Sequence, residues 1–286
     1  MLLSSSELSP GSPIAREDAT TWLEDGVGIR RVPIEAPWGW LAAGWRDLWS
    51  APTVGLVYGI IFTAAIYALA LGLLRVGWLS IIPVLAGGLL LIGPMLAVGL
   101  YEASRRLEEG LEIDPRDIMM VGVRSPKQLM MMGALLLGLF LVWLEVALLL
   151  FMLFLGDRPV PDPEQFATGL LFTPRGLGLA TSGVAAGFVL ALFDFAATAV
   201  SVPLLLVRVT DIVTALRISF AAVRRNEAAM ALWAALIAAL MALGFASLGL
   251  GLIIVFLLIG HATWHAFRDL VELRAEAKIV PDILSR

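Results

Sequence analysis

Two carboxylic acids, Glu145 and Asp194, stand well inside long apolar runs of this 286-residue chain. Two histidines, His261 and His265, stand four residues apart near the end of the last run. An acid at the bilayer centre costs about 2.5–3.5 kcal/mol on insertion scales, so such residues turn toward the protein interior. Glu145 and Asp194 fall on consecutive runs at broadly similar depth, with no Lys or Arg inside those runs to pair with them. Two chemistries fit. One is a protonatable pair in a hydrated cavity. The other, which we expect, is a pair of neutral carboxyls that join helices through hydrogen bonds in a dry interface.

His261 and His265 share one helix face at i, i+4, a spacing that can bind a metal or the edge of a haem. Two ligands do not complete a site, and the spacing shows no third. Beside Trp264 and Arg268 the pair suits a membrane boundary. We read it as a polar cluster at the cytoplasmic rim, with no metal and no cofactor. Met119, Met120 and Met130 to Met132 are adjacent residues that point in different directions around a helix, which suits packing better than copper binding. There is no P-loop, no GxSxG, no HExxH and no dinucleotide fingerprint. The absence of cysteine excludes disulfides, thiolate metal sites and thiol nucleophiles.

The elements that must carry these residues are membrane helices. The chain is 59% hydrophobic, 15% charged, and has a mean hydropathy of +0.90. That composition excludes an ordinary soluble domain. Thr53–Leu74, Leu79–Leu100, Leu129–Leu155 and roughly 178–207 are each long enough to cross a hydrocarbon core. Pro203 is a candidate kink in the fourth. From Ala228 to Phe267 no residue is charged at neutral pH apart from histidine. As one helix that run would be about 60 Å long, twice the hydrocarbon thickness. It must fold back, and Ser247–Gly251 is the natural turn.

Seventeen of the twenty Lys and Arg residues fall in alternate gaps between the runs, and three in the others. Basic residues near spans stay in the cytoplasm, so the chain reads as N-in, C-in with the 156–175 loop outside. That loop is rich in Pro and acids and has room for a short helix around 164–171. No basic n-region leads into a short apolar core, so no cleavable signal peptide is expected. Each pair of spans follows a segment of amphipathic spacing: Trp38–Trp49, Pro115–Val123 and Ile212–Val223. Each segment ends in a polar breaker, Ser50-Ala51-Pro52, Arg124-Ser125-Pro126 or Arg224-Arg225-Asn226. Leu91-Ile92-Gly93-Pro94 also matches Leu258-Ile259-Gly260-His261, with Ser201-Val202-Pro203 at the corresponding place between them. A threefold repeated unit follows.

The expected fold is therefore an all-α integral membrane protein of six transmembrane helices in three hairpins, each preceded by a cytoplasmic amphipathic helix. Residues 1–36 read as a mobile cytoplasmic tail with one short helix near Ala19–Glu24, residues 37–272 as the membrane domain, and residues 273–286 as a second cytoplasmic tail.

Three segments carry a resemblance. They are Ala36-Pro37-Trp38-Gly39-Trp40-Leu41-Ala42-Ala43-Gly44-Trp45-Arg46-Asp47, Gly93-Pro94-Met95-Leu96-Ala97-Val98-Gly99-Leu100-Tyr101-Glu102, and Gly260-His261-Ala262-Thr263-Trp264-His265-Ala266-Phe267-Arg268-Asp269-Leu270-Val271. Over about Arg30–Val271 the chain resembles the bacterial integral-membrane family numbered 2189 among domains of unknown function, with the last segment the most specific. It departs from that family at Leu257, where a proline is usual, and at Val207–Asp211, where an aspartate-rich turn is usual. The resemblance implies an inner-membrane protein and brings no catalytic residues. A terminal-oxidase label borne by some members does not transfer, because two histidines are too few for a haem–copper core.

The expected function is thus that of a non-catalytic accessory, assembly or lipid-interacting component. Its expected partners are membrane lipids and a further complex of the same membrane, with no nucleic acid. A proton-coupled transporter or channel using Glu145 and Asp194 is the alternative, followed by a metal- or haem-binding protein using His261 and His265.

Overall fold

The computed structural model describes residues 20–22, 26–114, 118, 125–156, 163–247 and 249–274. Among the described residues, six helical segments are long and apolar enough to cross a membrane: Pro52–Arg75, Ile82–Glu108, Pro126–Leu155, Pro174–Val207, Glu227–Ala246 and Leu250–Leu270. The architecture is that of an all-α, multi-pass membrane protein with a minor three-stranded sheet.

Strands β1 (Thr20–Trp22) and β2 (Val27–Arg30) precede α1 (Ala36–Ser50), the first amphipathic helix. The first span, α2 (Pro52–Arg75), begins on Pro52, whose missing N–H belongs to the unpaired first turn. The second span is two helices, α3 (Ile82–Leu96) and α4 (Val98–Glu108). Pro94 removes the donor for Leu90, and the axis breaks at Ala97. The third span is α5 (Pro126–Leu155), followed by α6 (Pro163–Phe172), the short helix expected in the loop.

The fourth span is broken into α7 (Pro174–Thr198) and α8 (Ser201–Val207), as Pro203 led us to expect. The break has a second cause outside the span. The Ser219 hydroxyl donates to Ala196 O at 2.8 Å and accepts from Val200 N at 3.1 Å. It therefore stands in for a hydrogen bond of the helix ladder, a recognised origin of sharp bends. Ser219 belongs to α9 (Ile212–Arg225), the last amphipathic helix, which opens on an Asp211 carboxylate accepting from Val213 N and Thr214 N. The 40-residue uncharged run folds back between α10 (Glu227–Ala246) and α11 (Leu250–Leu270), through Gly249 at φ +84°. Of the segment expected as the second amphipathic helix, only Ile118 is among the described residues. It is helical and buried.

One expectation for the amino-terminal segment is corrected. Thr20–Trp22 is a strand, not a helix. Val27 and Ile29 are only 1% and 2% exposed, because β2 is the centre of an antiparallel sheet with β1 on one side and β3 (Val271–Leu273) on the other. The segment is held from beneath by Asn226, which accepts from Val32 N at 2.9 Å and donates to Arg30 O and Ala222 O at 3.0 Å. The sequence before α1 is short of apolar residues as a whole, but the two on the inward face of β2, Val27 and Ile29, are buried and dock that strand.

The tight core lies at this end of the bundle, where α4, α8, α9 and the last turns of α11 meet around Leu100, Leu205, Ile218 and Phe267. By contrast α2 and α5 expose most of their apolar side chains. That contrast follows from the solvent: apolar helices gain little by leaving lipid for one another, so tight packing concentrates where water is near.

Candidate functional site

The segment Gly260–Val271 is the carboxyl-terminal half of α11 running into β3, and all its strongly polar side chains find a partner on α1 or α4. The spacing 261, 264/265, 268/269 is one helix face. His261 meets Ser104, Trp264 Nε1 donates to Glu108 Oε2 at 3.0 Å, and Arg268 Nε donates to Glu108 Oε1 at 3.0 Å. From α1, Trp40 Nε1 donates to Asp269 Oδ2 at 2.7 Å, and its ring stands edge-on to Trp233 of α10. Three helices are zipped together by polar contacts.

The centre of the zip is a four-residue chain. Ser104 Oγ donates to Asp47 Oδ2 at 2.6 Å, and His265 Nε2 lies 2.8 Å from the same oxygen. Ser104 Oγ also lies 2.8 Å from His261 Nδ1. The serine has one proton and gives it to Asp47, so His261 must donate from Nδ1. His261 Nε2 is then a bare acceptor, fully buried and without a partner. Burial works to raise the carboxyl of Asp47, but the hydrogen bonds it accepts from His265 and Ser104 outweigh it. The net effect holds Asp47 below its ordinary value, as a carboxylate.

Beside this chain Glu102 is buried, with a side chain 5% exposed that accepts from Arg105 Nε and Nη2 and from Arg106 Nε. Arg105 reaches on to Glu109 at 2.6 Å. Buried charge is tolerated here because each is multiply bonded. The close approach of α1 and α11 depends on Gly44, where a Cβ would lie 2.6 Å from Ala262 N.

The sequence pair His261 and His265 is therefore brought together, through Asp47 and Ser104. Both histidines sit in a hydrogen-bonded structural junction, and His261 is completely buried. Asp47 and Ser104 were not singled out from the sequence. Each is an ordinary polar residue near the end of a helix, and only the crossing of α1, α4 and α11 makes them partners. Among the described residues no group of three or more His, Asp or Glu is placed to hold a metal ion.

Glu145 and Asp194 are not brought together. Glu145 is exposed on the outer face of α5, whereas Asp194 is 6% exposed and faces inward. Trp143 lies against Gly187 and Phe154 against Gly178, which sets the antiparallel register of α5 and α7. In that register Asp194 lies about 12 Å along the axis from the level of Glu145, so the similar depth expected from the sequence does not hold. Asp194 Oδ1 is buried without a partner.

Six apolar spans with a polar junction at one end define a multi-pass integral membrane protein. Residues 81–206 match the family model described as "Predicted integral membrane protein (DUF2189)". The match includes the Gly93–Glu102 segment and stops short of Gly260–Val271. No curated protein and no solved structure is significantly similar to the chain.

Proposed function

We propose that this is a non-catalytic protein of a bacterial inner membrane that acts as an accessory, assembly or lipid-interacting component. The observation that carries the reading is the outer face of α1. Trp38, Trp45 and Trp49 stand at i, i+7 and i+11, and are 57%, 45% and 68% exposed. The opposite face, through Trp40, Ala43, Gly44 and Asp47, is locked to the bundle. Indoles suit the headgroup layer, apolar in body with one N–H donor. A helix docked by one face and presenting tryptophan on the other is built to lie along a membrane surface.

The charge asymmetry supports an N-in, C-in orientation with three hairpins, each led by a cytoplasmic amphipathic helix. The recurring order of amphipathic helix, span and span in residues 36–108 and 212–270 supports a repeated unit. Brominated phospholipids in reconstituted vesicles test the reading. Bromines near the headgroup should quench a component of tryptophan emission that disappears in the Trp38→Phe, Trp45→Phe, Trp49→Phe variant. An unchanged quenched fraction in that variant counts against membrane contact by α1.

One observation favours a second reading. An inward acid with an unpartnered oxygen, Asp194, suits a proton-coupled site. Glu145 does not share that site. Loss of a proton-coupled flux in Asp194→Asn, with expression and melting temperature unaltered, would promote the transporter above the accessory component.

A further inference from the structure

We propose that α5 pairs with α5 of a second copy of this chain, and that the two Glu145 carboxyls meet in the interface. The proposal goes beyond the accessory reading and does not depend on contact between α1 and lipid. It starts from the depth of Glu145. The nearer end of α5, Leu155, is about 15 Å away along the axis, farther than a glutamate side chain reaches. Yet Glu145 is exposed, and among the described residues it has no hydrogen-bond or ion-pair partner. A lone protomer would turn it into hydrocarbon, where an unsatisfied acid is expensive and rare. Such a residue marks a face that another helix covers.

The rest of the face has the form of a helix-pairing seam. Ala134, Gly138, Leu141, Glu145, Leu148 and Met152 recur at alternating steps of four and three, the a and d positions of a coiled coil. All six are exposed, Leu141, Leu148 and Met152 by 56%, 54% and 56%. Met132 and Leu136 are buried in the protomer, and Trp143 Nε1 donates inward to Val84 O at 2.7 Å. Each stands two residues before a seam residue, about 200° round the helix. The seam therefore lies opposite the packed face, and it runs for about 27 Å, close to the hydrocarbon thickness. Ala134 and Gly138 admit a neighbouring backbone, since a Cβ at Gly138 would meet nothing within 4 Å.

A second copy fits this face by symmetry. Copies of one membrane protein share an orientation, so a two-fold pair has its axis along the membrane normal. That sets α5 parallel to α5, with each residue level with its own copy. A side chain near the axis must then complement itself. A protonated carboxyl does so, because it donates through O–H and accepts through C=O, and two of them form two reciprocal hydrogen bonds. Glu145 shares the a positions with Gly138 and Met152, and a single polar residue at such a position is what fixes register and strand number. A foreign helix would have to bring a donor to that depth, whereas a second copy always does.

The test uses the full-length chain, which has no cysteine of its own. In native membranes under copper–phenanthroline oxidation, Leu141→Cys and Leu148→Cys should each give a disulfide-linked dimer. Val184→Cys, 72% exposed on α7, should stay monomeric. The wild type extracted in mild detergent and weighed by native mass spectrometry should appear at twice 30.7 kDa. Glu145→Ala should weaken the dimer at least tenfold, while Glu145→Gln, which keeps a donor and an acceptor, should retain it. Gly138→Leu should abolish it, and the variant should still fold, because the added side chain points into open space. A monomeric wild type overturns the proposal, as does cross-linking no stronger on α5 than at Val184. So does a dimer that survives Glu145→Ala unchanged, or one that Glu145→Gln breaks as fully as alanine does. A complex of any other mass, lost in Gly138→Leu, overturns it too, by showing a foreign chain on the seam.

Discussion

Asp47 is the residue on which the polar junction turns, since one of its oxygens receives both Ser104 and His265. Asp47→Asn removes the charge that both donors need, and should cost about 1–3 kcal/mol at neutral pH. The pH dependence has a definite sign. A carboxyl held below its ordinary value contributes stability that is fully present above the unfolded value, about 3.9, and is lost as pH falls through the folded one. The gap in melting temperature between wild type and Asp47→Asn should therefore be widest near neutrality and close in acid. Intrinsic tryptophan fluorescence reads this directly, because the chain has nine tryptophans and no cysteine for thiol dyes. Glu145→Gln, on an exposed face, should leave the melting temperature unchanged within error.

At the scale of elements, two contacts decide how helices cross. Gly44 lets α1 sit against the backbone of α11, and Gly44→Val would drive a side chain into Ala262. Overpacking of this kind costs about 1–3 kcal/mol. It should also separate Asp47 from His265, so Gly44→Val should remove most of the further loss seen on adding Asp47→Asn, a non-additivity that a double-mutant cycle measures. The second contact is Ser219 in the break between α7 and α8. Ser219→Ala leaves the buried Val200 N and the partly buried Ala196 O without their shared partner, and should cost about 1–3 kcal/mol. Thr in its place keeps the hydroxyl and should recover part of that loss.

At the scale of the whole molecule the prediction is topological. The chain has no native cysteine, so single introduced cysteines report without interference. Gln165→Cys, exposed on α6, should react with an impermeant thiol reagent in intact spheroplasts, and Ser285→Cys should react only after permeabilisation. Labelling of Ser285→Cys from outside would reverse the orientation. Ser125 is a poor reporter, because its hydroxyl donates to Arg208 O and accepts from Thr210 N.

The number of spans, the fold-back near Gly249 and the break near Pro203 were legible in the sequence. Each follows from a local rule: hydrocarbon thickness limits helix length, and proline removes a backbone donor. The one-sided face of the 260–271 segment was legible too, as two histidines one turn apart. Its partners were not. Asp47, Ser104 and Glu108 are separated from it by more than 150 residues, and nothing local marks them as its neighbours. The same holds for Ser219, an ordinary amphipathic-helix serine until α9 lies beside the bend of the fourth span. Glu145 and Asp194 show the limit from the other side. Both are acids in apolar runs, and only the rotation and register of α5 and α7 turn one outward and the other inward. Hydropathy averages over a helix's circumference and determines that it enters the membrane. Which side chain faces which neighbour depends on how helices cross, and that is decided by contacts between distant parts of the chain.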